Sequence, residues 1–184
     1  MAAVRESIKF ARNHLDEINT IVEVGVGAGH HARTMLEHLN PKRFYLVDGF
    51  WRCFDSFKDY NSTPGEINAL HDLCYRLCEN TLSRDHRYRF ICSESILACN
   101  EVPNQLDLVY IDANHLEHAV YADIQAWYPK IRKGGILCGH DWYADGVKKA
   151  VLHFFDWWED DITSGQRDAK GYGAEGSDWW LIKK

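Results

Sequence analysis

Long apolar runs are missing from this chain of 184 residues. No stretch approaches the ~18 consecutive apolar residues that crossing a bilayer requires, which speaks against a membrane span. Proline is scarce, at 4, and no repeat, low-complexity tract or Pro/Gly-rich linker divides the sequence. A chain of this length is one ordinary domain with room for a core that needs no disulfide staples. A basic excess is lacking too. Lys and Arg total 21 against 27 Asp and Glu, a formal net charge of −6, whereas nucleic acid and acidic lipid call for clustered cations. Neither is expected as a partner. The N-terminal segment mixes charges and has no apolar middle region of the signal-peptide kind, so a reducing, cytoplasmic setting is expected. No C-x-x-C pair occurs among Cys53, Cys74, Cys78, Cys92, Cys99 and Cys138. These read as small buried apolar residues. His71, Cys74 and Cys78 share a helix face, at a spacing that fits no zinc finger.

What the chain does have is ten His, seven Trp and a regular alternation of periodicities. Val4, Ile8, Ala11, Leu15 and Ile18 predict an amphipathic helix over 4–17. Thr20–Val24 is a short β-branched run ending at a glycine, which predicts a buried strand. A helix from Gly29 to Leu39 follows, then strands at Arg43–Val47, Tyr88–Cys92, Leu106–Ile111 and Gly135–Cys138. Further helices are predicted from Pro64, through Leu116–Ile131 and at Val147–Trp158, and Ser177–Ile182 reads as a closing strand. Strands alternating with helices predict a parallel sheet covered on both faces. In such sheets ligands bind outside the carboxyl ends of the strands, so the residues just after each strand are the candidates for chemistry.

After the first strand comes Glu23-Val24-Gly25-Val26-Gly27-Ala28-Gly29. Glycines there permit positive φ and a close approach of backbone amides to a ligand. The dinucleotide fingerprint G-x-G-x-x-G fails, because its last position is His30. The pattern present, acidic-x-G-x-G-x-G, resembles the first motif of class I S-adenosylmethionine-dependent methyltransferases. The second strand ends in Asp48-Gly49, where a carboxylate can accept from both hydroxyls of a ribose. The third ends in Ser93-Glu94-Ser95, where an acid can accept from an adenine amino group, though the same triplet also suits a helix cap. The fourth ends in Asp112-Ala113-Asn114-His115 and the fifth in Gly139-His140-Asp141-Trp142. Residues 109–151 resemble small-molecule O-methyltransferases of the macrocin type and the cephalosporin hydroxylase-like proteins. The features that carry this are D-x-x-H, Asp123 within the next helix, the paired glycines before the fifth strand, G-H-D after it and G-V-x-x-A-V beyond.

The resemblance implies a single α/β domain: a Rossmann-like three-layer αβα sandwich, with a mostly parallel seven-stranded sheet and an antiparallel C-terminal strand. A cofactor half at about 20–100 would precede an acceptor half at about 105–184. It implies S-adenosyl-L-methionine as cofactor, held by Glu23, Gly25, Gly27, Gly29, Asp48, Gly49, Trp51, Ser93, Glu94, Ser95 and Asp112. It further implies a small-molecule acceptor, a sugar or a phenol, with His115 as general base and Asp112 beside it. Metal-dependent members hold a divalent ion at the positions of Asp112, His140 and Asp141. A histidine at 140 replaces one of their carboxylates, so a softer ion or no metal are both open. The aromatic run Phe50, Trp51, Phe54, Phe57 and Tyr60 is expected to form a lid over 50–63, and the doublets Trp157-Trp158 and Trp179-Trp180 to pack in the core or between subunits of a homo-oligomer. Competing readings are a ribose methyltransferase acting on nucleic acid, a dehydrogenase, and a non-catalytic cofactor-binding module.

Overall fold

The computed structural model of the chain describes residues 4–49, 64–82, 85–155, 172–175 and 177–184. Its strands are β1 (Thr20–Val24), β2 (Arg43–Val47), β3 (Tyr88–Ile91), β4 (Leu106–Ile111), β5 (Ile131–Gly139), β6 (Tyr172–Glu175) and β7 (Asp178–Ile182). They form one sheet in the order β3-β2-β1-β4-β5-β7-β6. The pairs among β1 to β5 are parallel, and β7 runs antiparallel to both β5 and β6. The helices are α1 (Glu6–His14), α2 (His30–Leu39), α3 (Pro64–Leu82), α4 (Ser95–Ala98), α5 (Glu117–Trp127) and α6 (Asp145–Phe155). This is a Rossmann-like α/β fold. No described helix is long and apolar enough to cross a membrane.

Side-chain alternation along the strands splits the core in two. Ile21, Phe44, Leu46, Leu108, Tyr110 and Trp180 pack with α1 and α2 on one face. Val22, Val24, Val47, Val109, Ile111 and Trp179 pack with α5 and α6 on the other. Every residue of β4 is buried, as its nearly continuous apolar run predicts for a central parallel strand, Asp107 included. Trp179 and Trp180 are core residues, one on each face. Trp157 and Trp158 lie outside the described residues, as does Cys53.

Some boundaries differ from the sequence expectation. The helix α1 occupies 6–14 rather than 4–17, because Leu15 turns extended. The strand β5 begins at Ile131 rather than Gly135. Its register on β4 shifts between Leu106 and Leu108, and Arg132 donates to the Asp107 carboxylate at 2.7 Å. Cys78, Cys99 and Cys138 are buried as expected, whereas Cys92 is exposed at the end of β3.

Between α4 and α5 lies a buried polar cluster. The Trp127 indole donates to Ser95 Oγ at 2.8 Å, and the carboxyl of Asp123, only 5% exposed, also bonds Ser95. Burial raises the Asp123 pKa from 3.8 to about 6, against the lowering effect of Ser95. The folded state therefore holds this proton more tightly than the unfolded chain. The group's contribution is fully present below pH ~4, is lost as pH rises toward ~6, and its loss amounts to about 3 kcal/mol. Asp123→Asn is thus expected to gain stability over the wild type at pH 7.5 compared with pH 4.5. Urea denaturation at the two pH values checks this, and an equal difference at both contradicts it.

Candidate active site

The carboxyl ends of β1, β2, β4 and β5 come together at one edge of the sheet. Gly25, Gly27 and Gly29 all take positive φ, at 85°, 52° and 77°. A Cβ at Gly25 would stand 2.1 Å from the Asp112 carbonyl oxygen, so the loop after β1 is pressed backbone to backbone on the end of β4. A Cβ at Gly27 would meet nothing within 4 Å. That glycine faces open space and is required by its conformation, which leaves its backbone accessible to a ligand.

Asp48 follows β2 and turns its carboxylate to this loop. Its Oδ2 accepts from the amides of Val26 at 2.8 Å and Gly27 at 3.0 Å. The residue expected to bind ribose therefore also shapes the glycine turn. Gly49 is buried behind it, and Trp51 lies outside the described residues along with the whole expected lid, 50–63. Of the triplet after β3, Ser93 is half-buried and Glu94 is exposed at the start of α4, with no capping hydrogen bond from its side chain. Ser95 is turned inward, its hydroxyl taken by Trp127 and Asp123, so the edge keeps Glu94 as the polar group facing out.

Glu23 is placed differently from the expectation of a cofactor ligand. It is 1% exposed, and its Oε1 shares a 2.7 Å hydrogen bond with His31 Nδ1. Burial raises the Glu23 carboxyl well above its usual range, helped by Asp112. Burial and then Arg5 lower His31 to about 3. The two form a buried pair below the edge, with Glu23 Oε2 and His31 Nε2 unpartnered among the described residues.

Asp112, at the end of β4, anchors a charged network that sequence reasoning missed. Arg5, just before α1, donates from Nη1 to Asp112 Oδ2 at 2.7 Å and to the Tyr110 hydroxyl at 2.6 Å. Asp178, buried at the start of β7, accepts from the Ser7 amide and hydroxyl and lies 3.3 Å from the Tyr110 hydroxyl. Burial works against the Arg5 charge, but Tyr110 and Asp112 outweigh it and raise its pKa above the ordinary value.

His115 lies in a turn where Asn114 Oδ1 accepts from the Leu116 amide at 2.8 Å. A Cβ at Gly146 would stand 2.1 Å from the His115 carbonyl oxygen, so only glycine lets α6 press on this turn. His115 Nε2 is 2.8 Å from Asp141 Oδ2, and Asp141 itself adopts φ 56°. His140 Nδ1 is 3.1 Å from Asp141 Oδ1 and 3.9 Å from Asp112 Oδ1. The trio whose donor atoms lie mutually within 4.8 Å is Asp112, His115 and Asp141. These three could hold a metal ion, with His115 in the set; the sequence pointed to His140 beside the same two carboxylates. A depression lined by Asp112, Asn114, His115, His140, Asp141 and Trp179 marks this corner of the edge.

Comparison with known proteins shows the family and the fold. A family model described as a methyltransferase domain matches residues 22–142, well over half of the chain. The chain belongs to this methyltransferase family. No curated protein matches its sequence. Among solved structures, the O-methyltransferase NovP superposes with TM-score 0.64 at 16% identity, covering 97% of this chain and 79% of that one. A Streptococcus mutans protein solved in complex with S-adenosylhomocysteine gives 0.63 at 14%, covering 100% and 99%. An rRNA methylase from Streptococcus thermophilus gives 0.58 at 14%, with full coverage of both. The chain spans 63% of the length of a longer neighbour, a precorrin 8w decarboxylase of Methanobacterium thermoautotrophicum (TM-score 0.51, 13% identity, 76% of this chain covered). At such identities the likeness is one of fold. Family and fold together support S-adenosylmethionine as the methyl donor of this methyltransferase domain.

The Asp48 carboxylate bonds two loop amides, and charged hydrogen bonds of this kind contribute about 1.5–3 kcal/mol. Asp48→Ala is therefore expected to weaken S-adenosylhomocysteine binding about 10- to 100-fold. Calorimetric titration measures this; unchanged affinity would remove Asp48 from the cofactor site.

Proposed function

We propose that this methyltransferase domain transfers a methyl group to the hydroxyl of a small molecule, with His115 as general base. The observation that carries the reading is the 2.8 Å contact between His115 Nε2 and Asp141 Oδ2. A carboxylate on Nε2 holds the proton there and leaves Nδ1 as the basic nitrogen. Among the described residues Nδ1 has no partner, and the His115 side chain is 54% exposed at the open edge. Bound S-adenosylmethionine supplies a sulfonium methyl: its carbon–sulfur bond breaks as the carbon–oxygen bond forms, and the thioether leaves neutral. The acceptor's proton passes to His115. Asp141 then stabilises the imidazolium, and the backbone contact at Gly146 fixes the height of the base. Alignment of the two reactants supplies the larger part of the rate, up to ~7–11 kcal/mol, and the base a further ~10²–10⁴-fold.

Two features favour a phenol over a sugar. Leu116 and Tyr143, in the same two loops as His115 and Asp141, are 53% and 76% exposed, which offers apolar surface beside the base. Methylation of RNA, the substrate in the name of one structural neighbour, is disfavoured by the carboxylates of Asp112, Asp141 and Asp145 at this edge and by the net charge of −6. A second reading rests on the proximity of Asp112, His115 and Asp141. Two carboxylates and an imidazole fit a divalent ion such as Mn²⁺, which would lower the pKa of a bound hydroxyl. Arg5 already neutralises Asp112, and a metal-bound His115 is no longer a base, so the two readings exclude one another.

Incubation with methyl-labelled S-adenosylmethionine and separated small-molecule and RNA fractions of a cell extract tests the acceptor class. Label in the small-molecule fraction is expected; label in RNA contradicts the reading. With an acceptor in hand, His115→Gln is expected to lower turnover about 10²–10⁴-fold, with S-adenosylhomocysteine affinity held. Unchanged turnover, or loss on chelation restored by Mn²⁺, overturns the base assignment.

A further inference from the structure

We propose that Arg5 anchors the carboxylate at the amino-acid end of the methyl donor, and with Asp112 forms a clamp for an α-amino acid zwitterion. The proposal rests on the methyltransferase reading and extends it to a residue outside every motif in the sequence.

Arg5 reaches the carboxyl end of β4 from the start of α1, with its guanidinium carbon 5.5 Å from the centre of the Tyr110 ring. Both of its hydrogen bonds leave from Nη1. Nε and Nη2 have no partner among the described residues. The side chain is 26% exposed, reachable but largely out of water. A desolvated guanidinium with unspent N–H groups in a planar fork is suited to a carboxylate, which it can hold through two parallel bonds. Asp112 is in the complementary state. Its Oδ2 takes Arg5, while Oδ1 has His140 Nδ1 at 3.9 Å, beyond hydrogen-bond length. The pair therefore presents a cationic edge next to an anionic oxygen, which matches an α-carboxylate next to an α-ammonium.

The path to this pair is already set. The glycine loop lies directly on Asp112, with the Gly25 Cβ position 2.1 Å from the Asp112 carbonyl oxygen. A nucleoside held at Asp48 and passing the open side of Gly27 has its tail directed toward the Arg5–Asp112 pair. Tyr110 and Asp178 keep the guanidinium in place from below, so the clamp is formed before a ligand arrives. Such preorganisation lowers the ordering cost of binding.

A purely structural ion pair tying α1 to β4 would be indifferent to the ligand's carboxylate, and that difference is the test. Wild type, Arg5→Gln and Arg5→Lys are titrated calorimetrically with S-adenosylhomocysteine and with S-adenosyl-3-thiopropylamine, the same molecule without its carboxylate. The wild type is expected to lose about 10- to 100-fold on removal of the carboxylate, and Arg5→Gln to bind the two within about twofold of each other. Arg5→Lys keeps the charge without the fork and is expected to fall between; it carries the comparison if circular dichroism shows Arg5→Gln unfolded. An undiminished preference for the carboxylate in the folded variants overturns the proposal. So does a wild type that binds both ligands equally well, which leaves the methyltransferase reading intact. A wild type that binds neither overturns that reading and the clamp with it.

Discussion

The ion pair between Arg5 and Asp112 is the interaction on which the site depends. It joins the first helix to the end of the central strand across 107 positions of chain. A partly buried pair of this kind costs desolvation on both sides, and removing one partner leaves the other charge stranded. The surrounding groups offset that cost. Tyr110 accepts from Arg5, Asp178 lies by the Tyr110 hydroxyl, and Ser7 donates twice to Asp178. Thus α1, β4 and β7 are tied together at the edge where the strands' carboxyl ends meet. Below the loop, burial raises the Glu23 carboxyl and lowers the His31 imidazole; Arg5 opposes the first shift and adds to the second.

Everything else at the edge follows from parallel strands ending side by side. The order β2-β1-β4-β5 sets Asp48, the glycine loop, Asp112 and Asp141 in a row. Two backbone contacts that only glycine permits, Gly25 on Asp112 and Gly146 on His115, then fix the cofactor loop and the base turn at close quarters. The chemistry has a division of labour along this row. In the proposed reading Asp48 and the glycines would serve the nucleoside, Arg5 and Asp112 the amino-acid end, and His115 with Asp141 the acceptor's proton. The proposed acceptor, an uncharged aromatic hydroxyl, rests on the acidic far end and the exposed Leu116 and Tyr143.

Much of this was legible in the sequence because it is local. Strand runs, helical stripes and the residues just after each strand follow from periodicity and connection, and the glycine loop, Asp48, Asp112 and His115 come together as those positions imply. What escaped is non-local or depends on side-chain direction. Arg5 carries no motif, and nothing near it in the chain points to Asp112. Ser95 sits where adenine recognition was expected, yet the indole of Trp127 turns it inward. His115 joins Asp112 and Asp141 within 4.8 Å, and the Asp141 carboxylate, on a left-handed backbone, lies between His115 and His140. Strand β6 follows no periodicity in the sequence and is a strand through its pairing with β7.

The central claim is that the loop after β1 and the end of β4 form one cofactor-binding edge. Amide hydrogen exchange with and without S-adenosylhomocysteine tests it most directly, residue by residue. The account predicts slowed exchange at Val26–Gly29 and at Asp112–His115 together, over one saturable concentration range, with the strand starts at the opposite edge unchanged. Exchange that stays the same at both segments in saturating ligand, or slows only at the opposite edge, would contradict it.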